Sequence, residues 1–110
     1  MGKRYLEYID SSKYIYKCKF CKCHLSSKDH LISKNFTSGS CRAYLFTNAF
    51  NVYYGESKRK ELLTGLHDIS YVYCENCERK MGWKYIWAAK PEEKYKEGNI
   101  ILERNSLYKF

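Results

Sequence analysis

Two Cys-x-x-Cys pairs, Cys18-x-x-Cys21 and Cys74-x-x-Cys77, stand 52 residues apart in a chain of 110. One such turn presents two thiols to two corners of a tetrahedron, so two turns complete the four-sulfur set that zinc prefers. Compact zinc fingers separate their pairs by roughly 15–20 residues. At this spacing the metal would not nucleate a small finger; it would clamp the two ends of a whole domain. Closing so long a loop removes unfolded-chain entropy on the order of several kcal/mol. A four-thiolate site is coordinatively full and offers no position for a reactive water, so it points to architecture and not to hydrolysis. Lys17, Lys19 and Lys22 flank the first pair and would offset its negative charge.

The length suits one domain. Charges interrupt MGKRYLEYIDSSK throughout, which excludes a signal-peptide core there. No run approaches the roughly 20 apolar residues of a membrane span. We expect a soluble chain of a reducing compartment, where clustered cysteines are metal ligands more often than disulfides. Cys23 and Cys41 lie outside the pairs and read as free thiols, with Cys23 near enough to a ligand to replace one. The formal charge is +8, of which residues 1–34 carry +5, from eight Lys/Arg against three acids. A zinc tetrathiolate would lower the total to roughly +6. That balance suits an acidic protein partner or nucleic acid. Lysine supplies fifteen of the twenty basic residues, however, and reads bases less well than arginine.

Patterning predicts a mostly β chain. Strands are expected at 14–18, 42–47, 51–55, 62–65, 68–74, 82–89 and 99–105. The segment 24–36 is mixed, 37–40 is a loop around Gly39, 56–61 is a charged turn, and 92–98 is a helical turn or a loop. No helix beyond about three turns is expected. In the strand 68–74, Ile69, Tyr71 and Tyr73 share one face, while Ser70, Val72 and Cys74 share the other. Residues 1–12 read as a flexible lead-in to a single domain over 13–110.

The words HLISKNF, RAYLF, NVYYG, LLTGLHDI, CENC, GWKY and KYKEGNIILE fall in order between and beyond the two cysteine pairs. Together with the 52-residue spacing, they make the chain resemble the yippee family of zinc-binding proteins over about residues 14–104. Cys41 departs from the family's usual glycine, Lys60 from arginine, and Met81 from leucine. The resemblance implies a β-tent, two antiparallel sheets meeting at a structural four-cysteine zinc site, akin to the ligand-binding domain of cereblon. It also implies a non-catalytic role, residence in nucleus and cytoplasm, and links to cell division and to a ubiquitin ligase of the GID/CTLH type.

Trp83 and Tyr85 occupy positions that help line an aromatic cage in cereblon-like domains. Two further cage tryptophans have no counterpart in LLTGLHDISYVY. Trp83 therefore has two readings: an aromatic packed beside the zinc knuckle, or a wall of a binding groove formed with Tyr85 and His67. His67 alone reads as a structural histidine. The expected function is a monomeric, zinc-stabilised module that binds a protein partner. The alternative is a nucleic-acid binder using the basic N-terminal third. A reductase, suggested by fold kinship, would need a reactive cysteine that ILERNSL (101–107) does not carry.

Overall fold

A computed structural model describes residues 14–108. The lead-in expected at 1–12 lies outside the described residues. Among the described residues, eight strands form two antiparallel sheets: β1 (Ile15–Lys17), β2 (His24–Ser27), β3 (Leu31–Ser38), β4 (Cys41–Phe46), β5 (Val52–Leu62), β6 (Gly65–Cys74), β7 (Lys80–Ala88) and β8 (Ile100–Glu103). β1 and β2 pair alone. The other six follow the order β3-β4-β8-β7-β6-β5. Helical structure among the described residues is limited to three short 3₁₀ turns, the longest being Pro91–Lys96.

The large sheet has two apolar faces. On one, Tyr44, Phe46, Val72, Cys74, Met81, Ile100 and Leu102 pack with Tyr16 and Leu25 of the small sheet and with Cys18 and Cys23 of the turn between its strands. On the other, Ala43, Leu45, Ile69, Tyr85 and Ile101 are buried beneath Phe36, Leu62, Tyr71 and Trp83. The alternation read from 68–74 is present: Ile69 and Tyr71 serve the second face, Val72 and Cys74 the first. Glycine at position 82 is required by the β7–β8 contact, because a Cβ there would run into the Ile101 carbonyl.

Several boundaries differ from the sequence reading. Residues 56–61 are not a turn but part of the eleven-residue strand β5, which pairs with β6 from Val52↔Cys74 to Leu62↔Gly65. β5 is an edge strand, most of its residues are exposed, and so its charged residues need no alternation. The segment 62–65 is accordingly the hairpin tip, where Gly65 takes φ +110° and Leu63 projects into solvent. The mixed segment 24–36 resolves into β2, a 3₁₀ turn over Lys28–His30, and β3, which runs on to Ser38. The last strand stops at Glu103 and continues as a 3₁₀ turn over Arg104–Ser106.

The loop after β4 joins the two sheets. Ser26 Oγ donates to the Asn48 carbonyl at 2.8 Å, and Phe50 N–H donates to the Leu25 carbonyl at 2.7 Å. Asn51 Nδ2 donates to the His24 carbonyl at 2.7 Å, while the Asn51 carbonyl accepts from Glu75 N–H at 2.8 Å. The small sheet is thereby tied to the turn that carries the second cysteine pair.

Candidate metal centre and the aromatic face

The two cysteine turns repeat one backbone design. The Cys18 carbonyl accepts from Lys22 N–H at 2.8 Å, and the Cys74 carbonyl accepts from Glu78 N–H at 2.7 Å. Cys18 N–H donates to the Cys23 carbonyl and Cys74 N–H to the Arg79 carbonyl, both at 2.9 Å. The residue after each second cysteine, Lys22 or Glu78, takes a left-handed conformation, at φ 64° and 66°. This tight turn aims the amides of Phe20 and Cys21 at the Cys18 sulfur, and those of Asn76 and Cys77 at the Cys74 sulfur. Amides so placed favour the thiolate.

The turns face each other. The sulfurs of Cys18, Cys21, Cys74 and Cys77 all lie within 4.8 Å of one another. Across the pairs, Cys18 and Cys77 stand 3.6 Å apart and Cys21 and Cys74 3.5 Å apart. A zinc tetrathiolate with bonds near 2.3 Å has sulfur–sulfur edges of about 3.8 Å. Four thiols converging at that spacing, with no bonded disulfide, fit zinc. Cys18 and Cys74 are fully buried, Cys21 and Cys77 partly so. Burial pushes the Cys18 and Cys74 thiols up to about 12, the amide contacts opposing it. Burial also raises Cys21, but hydrogen bonds from Asn76, the Cys23 backbone and neighbouring thiols outweigh it and bring Cys21 down to about 6.

Cys23, a free thiol near a ligand in the sequence, stands outside the four-sulfur group. It is buried, and its sulfur lies 3.4 Å from that of Cys74, against the back of the cluster. It holds the place in the first turn that Arg79 holds in the second. Cys41 lies outside the cluster, and its thiol donates to the Arg42 carbonyl at 3.1 Å. The turns are braced outside the sulfurs as well, since Arg79 of the second stacks over the Phe20 ring of the first at 4.0 Å.

The second face of the sheet brings Trp83, Tyr85 and His67 together. Trp83 and Tyr85 meet edge-to-face at 6.1 Å, and His67 lies 5.4 Å from Tyr85. His67 is fully buried, Tyr85 nearly so, and Trp83 half-buried. His67 Nδ1–H donates to the Gly65 carbonyl at 2.8 Å, which leaves Nε2 as a buried acceptor without a partner. Burial pushes the Tyr85 hydroxyl up to about 12, while the buried Trp83 indole N–H has no hydrogen-bond acceptor among the described residues.

Sequence reasoning missed Lys96. It is 3% exposed, and its ammonium sits 5.2 Å from the Tyr85 ring and 5.3 Å from the Phe36 ring. It pairs with Glu93 at 2.5 Å and donates to Thr64 Oγ1 at 3.1 Å. One lysine thus joins the 3₁₀ turn after β7, strand β3 and the tip of the β5–β6 hairpin. Its ammonium packs against two rings of the aromatic face. The only signal in the sequence was its position in KYKEGN, where a lysine ordinarily reads as solvated surface.

Comparison with known proteins matches this chain, over residues 14–110, to the family described as Yippee zinc-binding/DNA-binding/Mis18, centromere assembly. It is 44% identical over 108 residues to protein yippee-like 3 of Danio rerio, covering 98% of this chain and 91% of that protein. It is 43% identical over 107 residues to human protein yippee-like 3, covering 97% and 90% respectively. Its fold matches the crystal structure of the Mis18 "Yippee-like" domain with a TM-score of 0.67 at 16% identity, covering 87% of this chain and 95% of that one.

Proposed function

The chain belongs to the Yippee zinc-binding family, and from that premise we propose that it is a non-catalytic, zinc-stabilised module that binds a protein partner. One observation carries the reading. Four sulfurs converge on a single point, two of them fully buried, so a bound zinc ion is surrounded by thiolates and meets no substrate. Nothing about that centre calls for chemistry, and much of the surrounding structure serves to hold it.

The partner we propose is a subunit of a ubiquitin ligase of the GID/CTLH type or of a cell-division assembly, met in the nucleus or cytoplasm. The resemblance to yippee proteins supports the first, and the family's description, which includes centromere assembly, supports the second. The reductase reading loses ground because β8 carries no cysteine and Cys23 is buried against the metal ligands. Affinity capture with the zinc-loaded full chain tests the proposal, with chelator-stripped chain as control. The same proteins should co-purify reproducibly with the loaded chain alone. Absence of any zinc-dependent partner would contradict the reading.

A second reading, nucleic-acid binding through the basic N-terminal third, rests on the +5 that residues 1–34 carry of the net +8 and on the family's description as DNA-binding. Several lysines sit over tyrosine rings, among them Lys58 and Lys80 on Tyr71 and Lys84 on Tyr54. Counterion release predicts binding that weakens steeply between about 50 and 200 mM salt. Equal retention of oligonucleotide at both salt concentrations would dismiss it.

A further inference from the structure

Between the small sheet and the β3–β4 end of the large one lies a cavity of about 260 Å³, on the face opposite Trp83. Tyr16, Tyr44 and Leu107 are its buried walls. Tyr14 and Tyr108 lie at its margin, and Lys34 and Arg104 supply its charge. No carboxylate lines it, and among the described residues none pairs with either cation.

The polar atoms are arranged to donate. Arg104 Nε–H donates to the Tyr44 hydroxyl oxygen at 2.8 Å, so the Tyr44 proton turns elsewhere and the two outer guanidinium nitrogens remain for another acceptor. Burial, with Tyr14 and Tyr44 beside it, pushes the Tyr16 hydroxyl up, so it also stays a donor. Lys34 lies on β3, an edge strand of the large sheet, 5.9 Å from the Tyr44 ring.

The geometry points to this cavity as a binding site for an acidic peptide segment of a partner, one carboxylate meeting Arg104 and Lys34 and an adjoining apolar side chain meeting the tyrosines and Leu107. A guanidinium fork with tyrosine hydroxyls suits a carboxylate, and the flanking rings suit apolar contact. Two cations at one cavity do not make the line of phosphate contacts that a nucleic-acid track uses. An exposed edge strand beside the cavity is also where an extended peptide docks.

The site is joined to the metal centre. Leu107 pairs with Cys18, Lys19 N–H donates to the Ser106 carbonyl at 3.0 Å, and Tyr108 N–H donates to the Lys17 carbonyl at 2.8 Å. The wall that includes Leu107 is therefore laid on the first zinc turn, which gives the zinc a part in shaping the site.

This inference rests on the protein-binding reading above and names where and what that surface binds. Its test is fluorescence anisotropy with the zinc-loaded full chain and a labelled octapeptide of alternating glutamate and leucine. The glutamine–leucine peptide and a labelled eight-nucleotide oligothymidylate are the comparison probes. The acidic peptide should bind, and the Lys34→Gln/Arg104→Gln pair should weaken it about tenfold or more. Lys58→Gln/Lys60→Gln removes the same charge from the opposite edge strand and should change affinity less than about twofold. Because Arg104 supports Tyr44, Lys34→Gln is also read alone; it should lower affinity about threefold with an unchanged melting temperature. No binding, equal loss in both double variants, equal binding of the glutamine peptide, or preference for oligothymidylate would each overturn the site. If captured partners stay bound to Lys34→Gln/Arg104→Gln, this site falls while the module reading stands.

Discussion

Six cysteines divide by what their sulfurs touch. Cys18, Cys21, Cys74 and Cys77 converge, Cys23 backs onto Cys74, and Cys41 stands apart. Cys74→Ser should abolish stoichiometric zinc and cooperative folding, whereas Cys23→Ser should keep about one zinc per chain by metal analysis. Zinc lost from both would make Cys23 a ligand. Without metal, the Cys18 and Cys74 thiols, pushed up to about 12, are protonated at neutral pH, while Cys21, at about 6, is largely thiolate. Zinc must expel the first two protons, so its affinity rises with pH and falls as pH drops. Calorimetry in buffers of different ionisation enthalpy should show at least about two protons released per zinc near pH 7.5. Lys96 carries the other strong expectation. Lys96→Met leaves Glu93 poorly compensated and should cost about 2–4 kcal/mol in urea unfolding. Adding Glu93→Gln should recover part of that loss. A Lys96→Met variant as stable as the parent would reduce the buried pair to decoration.

The elements show how far the sequence could be read. The two cysteine turns were legible because metal chemistry fixes both residue type and spacing. β4 was legible as an unbroken aromatic and aliphatic run, β6 by its alternation, and β7 as the aromatic strand leaving the second cysteine turn. β5 was not, since the charged run 56–61 lies on an edge strand bathed by water, where no alternation is imposed. Taking that run as a turn also misplaced the real turn at Leu63 and Thr64. Glycines separate by role in the same way. Gly82 leaves no room for a Cβ between β7 and β8, while Gly39, at φ 61° in the turn between β3 and β4, has open space around it. Gly39→Ala should therefore cost only about 1 kcal/mol, from backbone strain. Gly82→Ala must push β8 away and should cost more than about 3 kcal/mol or fail to yield folded protein. Thermal melts of the two variants side by side decide it, and equal losses would contradict the assigned contact.

At the scale of the whole molecule, one feature of the sequence set the architecture and another hid the surface. Cysteine pairs 52 residues apart require the chain's early and late strands to meet, and they do so where the small sheet meets the large one. The strand order β3-β4-β8-β7-β6-β5 was not legible, because strand pairing depends on contacts that no single strand encodes. Nor was the burial of Lys96 against Tyr85 and Phe36, since lysine burial goes against that residue's usual place. Trp83, Tyr85 and His67 do come together, with the Lys96 ammonium against the Tyr85 ring, and a cavity lies on the opposite face. Zinc K-edge absorption fine structure on the purified full chain tests the central claim, that the metal is an architectural clamp with no open position. Four sulfur scatterers at about 2.3 Å and no lighter ligand are the predicted result. A nitrogen or oxygen scatterer near 2.0 Å would contradict it and open the centre to substrate.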